Sequence, residues 1–260
     1  MNRPPLILLS FDVEEFDMPL EYGQRIPEEE QMAVGYQGLE TVMNLLAPLA
    51  PEATYFTTAN FARQYPDAIR DIAQRNEIAS HTFYHAHFDR EDLANSRALL
   101  ETVSGKKVQG LRMPRMRSVE MKDVAAAGYT YDSSVNPTYL PGRYNNRHLP
   151  RIPYRQEEML RIPVSVSPRF RIPLFWLSFK NFPYPLYRRL VMNTLKKDGH
   201  VCLYFHPWEF VPLGAYRIPP YTKKGAGPFL QQRLVRLIKD LQGEGSFVSM
   251  ERFARERCGA

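Results

Sequence analysis

The chain has 260 residues, 44% hydrophobic and 24% charged, with a net charge of +6. These are ordinary globular values and are enough for one large domain with a full core. They exclude a disordered or low-complexity chain, and no apolar run approaches the roughly 20 residues of a membrane span. Two cysteines, Cys202 and Cys258, make no disulfide framework and read as free thiols of a reducing compartment. The apolar run near the start, "LILLSF", ends in acids and lacks the length and cleavage site of a secretory signal, so a cytoplasmic location is expected.

In chain order, short apolar runs alternate with helical patterns. Leu6–Phe11 reads as a strand, followed by a helix over Val34–Leu46 with apolar residues at Val34, Leu39, Val42, Leu45 and Leu46. "ATYFTT" at 53–58 is the next strand and 66–75 the next helix. "EIAS" (77–80) precedes a helix over 90–103, and "QGLRM" and "YTYDSS" are strand candidates flanking a helix over 119–127 that Gly128 closes. Beyond a Pro- and Arg-rich stretch come a helix over 186–197, a strand over 201–205, a helix over 229–242 and a last strand, "SFVSM". Strands alternating with helices predict βαβ units and a parallel sheet or barrel. In such barrels catalytic residues gather at the C-terminal rim of the strands. The acids and histidines of this chain fall at just those places.

The stretch from 137 to 185 breaks the rhythm with nine prolines, too many for regular elements. It reads as an insertion over the barrel mouth with a short strand at "LRIPVS", within one domain spanning 1–260. From Arg143 to Lys197 there are twelve Lys or Arg and two acids, Glu157 and Glu158. A basic balance of this kind favours an anionic partner or marks a solvated face.

Strand one runs into "FDVEEFD", carrying Asp12, Glu14, Glu15 and Asp17, and strand three into "HTFYH", carrying His81 and His85. Two neutral imidazoles and one carboxylate, with positions left to water, form a catalytic divalent-metal site. The histidine spacing places both rings on one side of a helical turn, while the His87 side chain is expected to point elsewhere. Alternation in an extended segment sends Asp12 and Glu14 to one side and Val13 and Glu15 to the other. Glu14 is therefore the expected carboxylate ligand, with Glu15 as the alternative. The competing reading makes these acids solvated loop residues with no metal.

The ordered set of the acid cluster, "HTFYH", "RMP" at 112–114, "YDSS" at 131–134 and "YFHPWE" at 204–209 resembles the polysaccharide deacetylase family (NodB-homology, carbohydrate esterase 4-like). The resemblance spans roughly 6–250 and is closest to the exopolysaccharide-associated branch. It implies a distorted (β/α) barrel of seven strands that removes N-acetyl groups from amino sugars using one divalent metal, commonly Zn²⁺; Co²⁺, Ni²⁺ and Fe²⁺ accept the same donors. By the same resemblance Asp12 matches the catalytic base, His81 and His85 the metal ligands, and Arg112 the arginine that orients the base. Asp132 matches the acid that tunes the late histidine, and His206 the general acid. The chain departs from the family at Val13, where a second aspartate is usual, and at Arg115, where an aromatic is usual. Arg115, Tyr139 and Trp208 are the candidate substrate contacts: Arg115 through a phosphate or carboxylate, or else as a plain surface arginine, and Trp208 either by stacking on a sugar ring or by only packing the barrel mouth. Glu209 is expected to pair with an arginine and to take no part in catalysis.

Segment 169–191 interleaves aromatics with Arg and Lys, a composition suited to anionic lipid at an inner membrane face or to a packed lid. The expected partner is an N-acetylated sugar, free or lipid-linked, with no nucleic-acid motif to favour that class. Two other functions compete: an amidase or imidase acting on a non-sugar C–N bond, and a carbohydrate-binding protein with a degenerate site.

Overall fold

The computed structural model describes residues 4–259. Among the described residues eleven strands form, in chain order: β1 (Leu6–Val13), β2 (Ala53–Thr57), β3 (Glu77–Ser80), β4 (Gly110–Leu111), β5 (Tyr131–Asp132), β6 (Tyr139–Leu140), β7 (Tyr144–Asn145), β8 (Tyr154–Gln156), β9 (Met159–Arg161), β10 (His200–Phe205) and β11 (Ser246–Phe247). The main sheet runs β10–β1–β2–β3–β4–β5–β9–β8, with β11 beside β1. All its pairings are parallel except β8 with β9. Parallel strands from β10 to β9 therefore number seven, as expected for the barrel. The sheet curls until its ends meet: Ser165 N–H donates to Cys202 O at 2.9 Å, and Cys202 N–H donates to Ser165 Oγ at 2.9 Å. Such a sheet is buried on both faces, which is why β1 and β10 are buried along their whole length.

Of "LRIPVS", Leu160 and Arg161 fall in β9, which pairs with β5, so the Pro-rich stretch supplies a strand of the barrel as well as the antiparallel hairpin β6–β7. Helix boundaries shift where polar first turns hide them. The first long helix starts at Glu28, six residues early, because Glu28, Glu29 and Glu30 suit the positive N-terminal end of the helix dipole but carry no apolar period. "SFVSM" is a two-residue strand; Ser249 then caps the helix Met250–Cys258 by accepting from Arg252 N–H. Helices Ala59–Gln64 and Trp176–Asn181 are too short to show periodicity. No helix among the described residues is long and apolar enough to cross a membrane.

Two glycines let the helix Glu28–Leu46 approach the site. A Cβ at Gly35 would lie 2.5 Å from Glu14 O, and one at Gly38 2.4 Å from the Pro207 backbone. The helix can press on both the acidic loop and the "HPWE" turn only because those side chains are missing.

Candidate active site

The C-terminal ends of β1, β3, β4 and β10 deliver Asp12, Glu14, His81, His85, Arg112 and His206 to one place. All but Arg112 line a single cavity of about 340 Å³, a size suited to a small ligand group. Glu14, His81 and His85 each offer an atom within 4.8 Å of the others. Glu14 Oε2 lies 3.1 Å from His81 Nε2 and 3.2 Å from His85 Nε2.

The tautomers follow from the far side of each ring. His81 Nδ1 lies 2.7 Å from Arg112 O and His85 Nδ1 2.8 Å from Asp17 Oδ1. Both partners only accept, so both Nδ1 atoms carry hydrogen and both neutral rings turn an Nε2 lone pair toward Glu14. Two lone pairs and a carboxylate cannot share a space without positive charge among them. The donor set therefore fits a divalent cation, and histidines oriented by a carbonyl and a carboxylate are the usual outer support of such sites. Without a cation the charge must come from protons. Burial disfavours charge on His85, but Glu14 and Asp17 outweigh it and raise its pKa to about 9. Burial likewise penalises the Glu14 carboxylate, and His85, His206 and His81 hold it well below the usual range regardless.

Glu14 and Glu15 part as alternation requires. Glu15 turns away and accepts from Thr58 Oγ1 at 2.9 Å and Asn60 Nδ2 at 2.8 Å. The second Glu14 oxygen accepts from Trp208 Nε1 at 3.0 Å. "HTFYH" is not a helical turn. Thr82 takes a left-handed conformation with φ 63° directly after β3, and this sharp bend brings the two rings together at 5.8 Å, nearly parallel. His87 stacks on Tyr84 and is not among these donors.

Arg112 is fully buried beneath Asp12. Its Nη1 donates to Asp12 Oδ1 at 2.6 Å and to Ser10 Oγ at 3.0 Å, its Nε and Nη2 bind Ser133, and its guanidinium lies 4.1 Å over the Phe56 ring. One Asp12 oxygen is thereby held, and the other faces His206 Nε2 at 3.9 Å.

Several expectations are corrected. Asp132 does not serve His206: its carboxylate accepts from Ser134 N–H and meets Arg161 Nε at 2.8 Å, while Ser134 Oγ accepts from Met113 N–H. It braces the "RMP" loop instead. The partner of His206 is Glu209, whose Oε1 is 3.1 Å from Nδ1, and Glu209 pairs with Lys180, not an arginine. Trp208 cannot offer a face to a sugar; its indole is 1% exposed and stacked on His206 at 4.8 Å. Tyr139 is 51% exposed under Arg147, outside the cavity lining, whereas Leu140 and Tyr144 of the same hairpin line it. Arg115 does line the cavity, engaged with Asp17 at 2.8 Å and Glu21 at 2.7 Å. The contacts of Asp17, Glu209 and Lys180 around the site are not legible in the motifs. Asp17 was visible in the acid cluster, but nothing in its spacing told that it would reach His85.

Fold and site thus define a βα-barrel protein with a candidate two-histidine, one-carboxylate centre at the rim. Residues 34–131 match the family model described as polysaccharide deacetylase, and residues 133–254 a model described as a domain of unknown function (DUF3473). Over residues 34–131 the chain is thus similar to the polysaccharide deacetylase family. Comparison with curated proteins finds no match. Among solved structures, a Mycobacterium smegmatis protein classed as a polysaccharide deacetylase superposes with a TM-score of 0.67 at 18% identity, covering 100% of this chain and 95% of that one. PuuE allantoinase follows at 0.66 and 15%, covering 98% and 93%. The Xyl-CE4 domain of a multidomain xylanase from the hindgut metagenome of Trinervitermes trinervoides gives 0.53 and 13%, covering 98% and 92%. At these identities the likeness is one of fold.

Proposed function

We propose that the protein is a metal-dependent deacetylase that hydrolyses an N-acetyl amide on an amino sugar of a surface polysaccharide or its lipid-linked precursor, as a single domain of the exopolysaccharide-associated branch. The observation that carries this reading is the meeting, in one cavity, of a three-donor centre, an arginine-held aspartate and a carboxylate-backed histidine. A binding protein needs no such set.

Glu14, His81 and His85 would hold the metal, Zn²⁺ by preference for this donor set, with Co²⁺, Ni²⁺ or Fe²⁺ as substitutes. When bound it supplies Lewis acidity to the amide carbonyl and to the attacking water. Asp12 takes the proton of that water on the oxygen Arg112 leaves open, because the other is already committed to the guanidinium. The water oxygen adds to the carbonyl carbon, the C–N bond breaks, and the nitrogen leaves with a proton from His206 Nε2. Burial alone would disfavour the imidazolium, but Glu14, Glu209 and Asp12 raise the His206 pKa, which favours the protonated ring that an amine leaving group needs. The products are acetate and the free amino sugar.

The test is acetate release by zinc-loaded protein from a panel of N-acetylated oligosaccharides and lipid-linked sugars. Release that disappears in Asp12→Asn, with metal retained, supports the reading. Silence across the panel with metal bound refutes it and returns the amidase and binding alternatives.

The same proposal places the enzyme in the cytoplasm at an anionic membrane face. Most aromatics of 169–191 are buried, Phe175, Trp176, Phe179, Tyr184 and Tyr187 among them. Phe170 and Leu186 are exposed, and they share a groove with Arg169, Arg189, Lys196 and Lys197 that no carboxylate lines. Exposed apolar tips among cations suit anionic headgroups. Equal co-sedimentation with anionic and neutral vesicles at low salt would count against this.

A further inference from the structure

Of two buried charges beside the cavity, Lys180 has no part in the chemistry above and Glu209 enters it only as a charge near His206. Lys180 is 1% exposed and Glu209 0%. Lys180 comes from the helix Trp176–Asn181, in the Pro- and Arg-rich stretch, and Glu209 from the turn Pro207–Phe210 after β10. Lys180 Nζ meets Glu209 Oε2 at 2.7 Å, donates to Thr222 O at 2.6 Å, and sits 4.7 Å over the Trp176 ring. The other carboxylate oxygen of Glu209 accepts twice from His206, from its main-chain N–H at 2.8 Å and from Nδ1 at 3.1 Å.

Burying a lysine and a glutamate together is no efficient way to stabilise a fold, since packed apolar side chains of equal volume do as well or better. A pair retained at that cost against a reactive histidine points to the histidine. A carboxylate only accepts, so the hydrogen on Nδ1 is fixed there and Nε2 is left to face the cavity, where Asp12 Oδ2 lies 3.9 Å away. The ring is clamped on its flanks by Trp208, stacked at 4.8 Å, and by the edges of Trp176 at 5.0 Å and Tyr204 at 5.7 Å. Asp132, the residue the family pattern assigns to this task, is occupied elsewhere.

We propose that Lys180, Glu209 and His206 form a buried triad in which Glu209 holds the Nδ1–H tautomer and aims Nε2 at the leaving nitrogen, while Lys180 keeps Glu209 ionised and in place. Lys180 and Glu209 are positioning residues, and the proposal rests on the reading of His206 as proton donor. It gives the segment matched as a domain of unknown function a definite task. Residues before 132 supply the base and the three metal donors; those after 133 close the barrel and build the acid. The charged and titratable groups facing His206 are Asp12 and Glu14 from the β1 end, Tyr204 from β10, and Glu209 with Lys180 behind it.

The test reads the imidazole ¹⁵N signals of His206 in zinc-loaded protein, with kcat and KM measured beside them. Wild type should show the Nδ1–H tautomer on the basic side of its titration; an Nε2–H tautomer overturns the proposal without any variant being needed. Glu209→Gln should lower the His206 midpoint, reducing its protonated fraction about tenfold at fixed pH, and lower kcat by about a hundredfold, with KM and zinc content unchanged. Glu209→Asp should restore part of both. Lys180→Met removes the charge that keeps Glu209 ionised, so the midpoint should move the same way as in Glu209→Gln, downward. A midpoint and tautomer unmoved in Glu209→Gln, or moved instead by Asp132→Asn, overturns the proposal. Full activity in His206→Gln, with the Glu209→Gln shift present, would leave the triad standing and remove the proton-donor reading.

Discussion

Replacement of Glu77 by glutamine should make stability less dependent on pH near neutrality, and the size can be worked from the structure. Glu77 opens β3 at the end of the barrel opposite the site and is 7% exposed. Its Oε2 accepts from Thr54 Oγ1 at 2.7 Å and Glu251 N–H at 3.0 Å, and its Oε1 from Tyr131 Oη at 2.7 Å. Burial nevertheless outweighs these three donors and raises its pKa from 4.5 to about 7. The folded carboxyl thus holds its proton in a range where the unfolded one has lost it. Stability falls as pH rises from 4.5, and the loss is complete above 7. A shift of about 2.5 units at 1.36 kcal/mol each makes the change about 3 kcal/mol, or roughly 10 °C in Tm for a chain of this size. Glutamine keeps the shape, carries no charge and lacks this dependence. Urea denaturation of both proteins at pH 4.5, 6 and 8 checks it through the difference between them, which cancels every other titrating group. The variant should gain on wild type steadily across the series; a constant difference would refute the reasoning.

The acid cluster gives a sharper contrast. Glu14→Ala should remove metal uptake, measured by elemental analysis, whereas Glu15→Ala should keep one metal per chain and lose stability by about 1–3 kcal/mol, since the buried Thr58 hydroxyl loses its acceptor and Asn60 one of its two. Asp17→Asn should weaken zinc binding about 10–100-fold in a competition titration with a chromophoric chelator, because Asp17 fixes the His85 ring; unchanged affinity would show the contact to be incidental. Gly38→Ala should lower Tm and broaden the response to metal, because its methyl group must push the Pro207–Trp208 backbone away from the helix; calorimetry with and without zinc reads both.

The sequence alone carried the barrel and most of its rim. The alternation of buried strands with helices is a local, repeating consequence of hydrophobic period, and so it is written along the chain. The pairing of Asp12 with Glu14, and the exclusion of Glu15, follow equally locally from the two-residue period of an extended segment, and the structure places them so. Only the tertiary structure could decide which distant groups meet. Asp17 reaches His85 across 68 positions, Trp208 reaches Glu14 across 194, and Glu209 is joined by a lysine from the far side of a proline-rich loop. The motifs misplace Asp132 and leave Trp208 undecided between sugar and packing, because a motif records which residues are present, not which way a side chain turns once the sheet has curled. The direction is set by packing around it: Arg161 and Ser134 hold the first, His206 and Glu14 the second. Local period lies in the chain; the choice of partner lies in how its ends are brought together.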